Sequence, residues 1–121
     1  MELFLDLYEA VAQRWEDRLA AEGLVDFDDM INQSADHIVA GHFPCGVKMV
    51  LADEFQDTSR ARMRLLQAIV DASGAQFTAV GDDWQSINRF AGADLAIMSG
   101  FRTSHPHAAI RHLSQTFRCP Q

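Results

Sequence analysis

An apolar run that ends in two adjacent carboxylates, Met49-Val-Leu-Ala-Asp-Glu54, is the segment of this chain best suited to chemistry. A hard dication such as magnesium wants carboxylate oxygens and keeps several of its waters, which Asp53 could serve. Glu54 could then orient an attacking water or accept its proton. Read alone, the same residues also describe a strand running into a solvated acidic turn. Gly81-Asp-Asp-Trp-Gln85 brings two more carboxylates and an amide, and Phe117-Arg118 places an aromatic beside a guanidinium. Each has a plain alternative: Gln85 as an exposed loop amide, Phe90 and Phe117 as core, Arg118 as a solvated charge near a chain end.

The elements that must position these groups can be read from periodicity. Leu3, Leu7, Val11, Trp15 and Leu19 recur every fourth position and predict a helix over 1–22, stopped by Gly23. Asp26 can cap a second helix, with Asp29 in its first turn and Phe27, Met30, Ile31, Ser34, Ala35 and Ile38 as its inner stripe. A loop over 40–46 leads to a short strand over 47–52. Thr58 or Ser59 can cap a third helix with the stripe Met63, Leu66, Ile69 and Val70, and Gly74 stands where it should stop. A second strand is expected over 76–80, a short helical stretch over 95–98 and a third strand from 108 to about 116. Strand, helix, strand, helix, strand with short links predicts an α/β fold with a parallel sheet flanked by helices. Ligands bind such sheets beyond the carboxyl ends of the strands, which places Asp53, Glu54, Asp82, Asp83 and Gln85 along one edge.

Composition narrows the class. A chain of 121 residues, 48% hydrophobic, has room for one domain at most. Its net charge of −7 argues against broad binding to a phosphate backbone, although aromatics and a few arginines can make a local nucleic-acid contact. Lys48 is the only lysine. Cys45 and Cys119 form no C-x-x-C pair, as expected of a reduced cytoplasmic protein, and no apolar run is long enough to span a bilayer. His37, His42 and Cys45, and separately His105 and His107, lack tight ligand spacing, so zinc is not expected there.

Asp53-Glu-Phe-Gln-Asp-Thr-Ser59, Val80-Gly-Asp-Asp-Trp-Gln-Ser-Ile87 and Leu113-Ser-Gln-Thr-Phe-Arg118 follow one another in this order. They closely resemble motifs II, III and IV of UvrD/Rep-type superfamily 1 DNA helicases, and the middle one looks most like the helicase IV branch. Gly23-Leu-Val-Asp-Phe-Asp-Asp29 is similar to the segment where that family's chain re-enters its first RecA-like domain. The resemblance implies part of a RecA-like parallel sheet. Residues 1–24 would be a helix ending the inserted subdomain, and 25–121 the later part of the first motor domain. It further implies ATP and magnesium as ligands, with Asp53 and Glu54 at the metal. Glu54 would polarise the hydrolytic water, and Gln85 and Arg118 would reach the γ-phosphate. Phe117 would stack near the adenine, and Phe90 and Asn88 would face single-stranded DNA. Stacking needs only a π-face, so it suits a motor that must pass over any base.

The chain also departs from the family. Asn88 stands where a tyrosine is usual and Ala91 where an arginine is usual. No G-x-x-x-x-G-K-[S/T] occurs, and Lys48 lies in Cys45-Gly-Val-Lys-Met49, which is not a phosphate loop. The expectation is therefore a piece of an ATP-dependent helicase, inactive alone, whose missing motor halves come in cis or in trans. Its first helix, without native packing partners, should pack back on the domain or against a second copy in a homodimer. Two other classes compete: a non-catalytic interaction module, and a magnesium phosphohydrolase built on Asp53, Glu54, Asp82 and Asp83.

Overall fold

The computed structural model describes residues 2–44, 46–85 and 92–115. It is an α/β arrangement of one helix pair, a two-stranded parallel sheet and two further short helices. Helix α1 runs Glu2–Glu22 and α2 runs Phe27–Val39. Strand β1 is Met49–Ala52, α3 is Arg60–Ser73 and β2 is Gln76–Ala79. Helices α4, Leu95–Ser99, and α5, Phe101–Ser104, follow.

Local chemistry explains where the helices stop and start. Gly23 adopts a φ of 64°, and the amides of Gly23 and Leu24 bond back to Ala20 and Leu19 at 3.3 and 2.9 Å. This left-handed closure satisfies the last carbonyls of α1 and needs a residue without Cβ strain. Asp26 then caps α2: its Oδ1 accepts from Asp29 N at 2.8 Å, while Asp29 Oδ2 accepts from Asp26 N at 3.3 Å. Ser59, one of the two caps expected, is the one that caps α3, accepting from Arg62 N. Gly74 ends α3 with φ of 65°.

The Asp29 amide, helped by the Trp15 indole, holds the Asp26 carboxyl below its ordinary range. Because the folded value lies below the unfolded one, the cap's contribution is complete above the ordinary carboxylate range and is lost as pH falls through the folded value. Asn caps as well as Asp but does not titrate. Asp26→Asn is therefore expected to flatten the acid limb of stability measured by urea denaturation across pH. An unchanged acid limb would show that the cap does not titrate with folding.

Packing divides into two small cores. Ala35, Ile38 and Ala68 are buried between α2 and α3, with Leu65 and Ile69 against them. Arg64 of α3 fastens the same pair of helices, bonding Asp36 and the Asn32 carbonyl. The second core is aromatic. Phe55 is buried and meets Phe77 and Phe101 edge-on at 6.0 and 5.6 Å, and His105 stacks on Phe101 at 4.4 Å. Edge-on and offset contacts suit the ring quadrupoles and add to the burial.

Strands β1 and β2 pair in parallel with Leu51 beside Thr78 and Ala52 beside Ala79. Alternation puts half-buried Val50, Ala52, Phe77 and Ala79 on one face and leaves Met49, Leu51, Gln76 and Thr78 exposed on the other. Three expectations need correction. The described part of the expected third strand, residues 108–115, joins no ladder, and Leu113 is 89% exposed. A strand-like run is a strand only when another strand offers its edge, which composition alone does not reveal. Of the two packings expected for the first helix, packing back on the domain is not what forms: Leu3 is 82% and Leu7 64% exposed. The inner stripe of α2 is also narrower than its period suggested, since Phe27 and Met30 are exposed while Ala35 and Ile38 are buried. Among the described residues no helix is long and apolar enough to cross a membrane.

Candidate functional site

The site lies where the two strands end. Past the last ladder residues the chains stay joined, Val80 N donating to Ala52 O at 2.8 Å and Phe55 N to Val80 O at 2.9 Å. Asp53 and Glu54 therefore leave β1 beside the Gly81-Asp82-Asp83 turn that leaves β2. Glu54 has φ 48° and ψ 44°, and it is the one non-glycine residue with positive φ among those described. Left-handed backbone costs an ordinary L-residue about 1–2 kcal/mol, so the surrounding hydrogen bonds must enforce it. They are present: Asp53 Oδ1 accepts from Glu54 N at 2.9 Å, and Gln56 Nε2 donates to Glu54 Oε2 at 2.7 Å.

Gln56 is the residue the motif reading passed over. It is 2% exposed, one of two buried polar residues among those described, and both ends of its amide are used. While Nε2 holds Glu54, Oε1 accepts from Asp82 N at 3.0 Å. The sequence signal was present but weak: a bifunctional amide inside Phe55-Gln56-Asp57, directly after the carboxylate pair. Asp82 in turn organises its own loop. Its Oδ1 accepts from Trp84 N at 3.1 Å and its Oδ2 from Gln85 Nε2 at 2.7 Å. Gln85 is exposed at that edge and Trp84 stands 93% exposed beside it.

Asp53 and Glu54 line a cleft of about 350 Å³ with Ala52, Asp57, Thr58, Arg62, Leu65 and Leu66. Two adjacent exposed carboxylates over an apolar floor fit a hydrated magnesium, which needs few protein ligands when phosphate oxygens supply others. The four-carboxylate phosphohydrolase fits less well. Asp82 commits both oxygens to its own loop, and no three metal-binding side chains come together among the described residues. His37 and His42 do approach, with Nδ1 atoms 3.3 Å apart.

A second tether lies beyond the Asp82–Gln85 loop. Asp94 caps α4 and donates its amide to Thr58 O at 3.1 Å, while Arg60 Nε meets Asp94 Oδ2 at 2.7 Å. Arg60 and then the Ala96 amide hold the Asp94 carboxyl below its ordinary range. Both flanks of the Asp82–Asp94 stretch are thus fixed to the loop that carries the carboxylates. Asn88, Phe90, Phe117 and Arg118 lie outside the described residues. Of the residues expected along this edge, the structure brings Asp53, Glu54, Asp82 and Gln85 together, and it adds Gln56.

The UvrD/REP helicase N-terminal domain matches residues 2–106. DNA helicase IV of Escherichia coli is 36% identical over 115 residues, covering 94% of this chain and 17% of that protein. ATP-dependent DNA helicase UvrD1 of Mycobacterium tuberculosis is 30% identical over 130 residues, covering 96% of this chain and 17% of the relative. PcrA of Bacillus subtilis, an ATP-dependent DNA helicase, is 29% identical over 109 residues, 86% of this chain and 15% of its own length. The chain thus spans about a sixth of the length of the curated relatives it matches. With a family match that covers residues 2–106, most of its length, the chain belongs to the UvrD/REP helicase N-terminal domain family.

Proposed function

We propose that this chain forms the carboxylate and sensor edge of the ATP site in a RecA-like motor that moves along single-stranded DNA and separates duplex. The observation that carries the reading is the meeting of Asp53–Glu54 with Asp82–Gln85 beyond two parallel strands, joined through Gln56. Magnesium, when bound, would supply neutralisation of phosphate charge, with Asp53 holding it largely through water. Glu54 orients the attacking water and takes its proton as the bond to the γ-phosphorus forms and the β–γ bridging oxygen departs with ADP. Gln85 contacts the γ-phosphate and registers its loss. Arg118 is assigned to the same phosphate, Phe117 to the adenine, and Phe90 with Asn88 to single-stranded DNA.

The names of the relatives, all DNA helicases, support the same reading. These 121 residues hold no phosphate loop of the G-x-x-x-x-G-K-[S/T] type. We assign that loop, and the second motor half, to the rest of the same polypeptide or to a partner.

The isolated chain, given MgATP and single-stranded DNA, is expected to show no turnover above buffer. DNA-stimulated hydrolysis by the chain alone, abolished by Glu54→Gln, would overturn the assignment of an incomplete site. The native polypeptide carrying this sequence is expected to hydrolyse ATP faster when single-stranded DNA is added. Hydrolysis indifferent to DNA, or none at all, would sink the helicase reading itself.

A further inference from the structure

We infer that Gln56 is a positioning residue that ties the water-activating carboxylate to the phosphate-sensing loop. The inference rests on the proposed roles of Glu54 and Gln85 and names what aligns them. The hydrogen bonds form one unbroken series: Glu54 Oε2 to Gln56 Nε2 at 2.7 Å, Gln56 Oε1 to Asp82 N at 3.0 Å, and Asp82 Oδ2 to Gln85 Nε2 at 2.7 Å. Each link uses a different atom, so a shift at one end displaces the next.

Burial makes the central link stiff. Gln56 is 2% exposed, and water cannot replace a bond lost there without entering a packed loop. Its neighbour Phe55 anchors the turn in the aromatic core, which fixes the backbone from which the amide projects. Gly81 completes the fit. A Cβ at that position would lie 2.7 Å from Gln56 Oε1 and 3.1 Å from the backbone nitrogens of Phe55 and Gln56. The turn thus comes close enough to present the Asp82 amide only because residue 81 has no side chain.

Glutamine is suited to this task by having a donor and an acceptor on one rigid amide. The donor pins one oxygen of Glu54, which limits its rotation and leaves Oε1 to face a substrate water. The acceptor sets the Asp82 backbone, from which both oxygens of that side chain hold the sensor loop. Loss of alignment by about 1 Å can cost on the order of a hundredfold in rate, without loss of binding, when the misplaced group acts only at the reacting atoms.

Two substitutions separate the two halves of the amide. Gln56→Leu removes both bonds, whereas Gln56→Glu keeps an acceptor for Asp82 N but sets a carboxylate against Glu54. Hydrogen exchange followed by NMR on the 121-residue chain reads the link without any catalysis. The Asp82 amide is expected to exchange slowly in the wild type and in Gln56→Glu, and fast in Gln56→Leu. In the native polypeptide both variants are expected to lower kcat for DNA-stimulated ATP hydrolysis by roughly tenfold to a hundredfold, with KM for MgATP within about threefold of wild type.

Wild-type kcat in either variant, or a loss confined to KM, would overturn the positioning role. So would an Asp82 amide that exchanges equally fast in all three proteins. Absence of DNA-stimulated hydrolysis in the wild type would instead count against the helicase reading, with the exchange result still deciding whether Gln56 forms the link.

Discussion

Glu54→Gln in the native polypeptide is expected to reduce DNA-stimulated ATP turnover by about 10²–10⁴-fold, the range that removal of a positioned proton acceptor produces. The change is almost isosteric. A glutamine carbonyl can still accept from Gln56 Nε2, now 2.7 Å from Glu54 Oε2, so the turn and the left-handed backbone at position 54 should persist. Affinity for MgATP should accordingly stay within a few fold, and thermal unfolding of the chain should be unchanged. Single-turnover hydrolysis beside equilibrium nucleotide binding separates the two quantities. Turnover within a few fold of wild type would remove Glu54 from the chemistry and reduce the Asp53–Glu54 pair to a solvated turn.

Gly81→Ala should have the largest effect on the fold of the site. The added methyl falls 2.7 Å from a side-chain oxygen that is buried and engaged, and 3.1 Å from two backbone nitrogens. Either the turn moves away and breaks the bond to Asp82, or Gln56 swings out and leaves Glu54 and the Asp82 amide unmatched. Overpacking of this kind costs about 1–3 kcal/mol, before any penalty for the stranded polar groups. Urea denaturation of the chain measures it directly. Gly46→Ala is the control, since a Cβ there meets nothing within 4 Å and the position is not left-handed. Its stability should be unchanged or slightly raised by the narrower unfolded ensemble. Equal effects from the two substitutions would mean that the close approach at Gly81 is not what holds the loops together.

What could be read in advance follows from the range of the forces involved. Gly23, Asp26, Ser59 and Gly74 each act within about a turn of their own position, so helix ends were legible from residue type. The two short strands were legible for a similar reason, since an apolar run between a glycine-rich loop and an acidic turn has few other uses. Pairing was not. The segment over 108–115 reads as strand-like, but whether an edge awaits it depends on chain far away in sequence. The stripe Leu3-Leu7-Val11-Trp15 shows that α1 has an apolar side without saying what meets it, and within this chain that side stays exposed.

The candidate site divides along the same line. Asp53, Glu54 and Gln85 could be put forward from sequence because their residue types stand in recognisable motifs. Gln56 stood inside one of those motifs and was missed, because its role exists only once the β1 and β2 loops lie side by side. A polar residue next to charged ones looks solvated in one dimension. Its burial is a tertiary fact.

The left-handed backbone at Glu54 also restricts how this position can change over generations. From a glutamate codon, glycine and valine are each one base away, yet the two replacements differ sharply here. Glycine takes a φ of 48° without strain, whereas a β-branched side chain is strongly disfavoured there. Copies of the gene released from selection for activity should therefore keep a folded turn more often when they read Asp-Gly than when they read Asp-Val. In such lineages the geometry of the turn outlasts its chemistry.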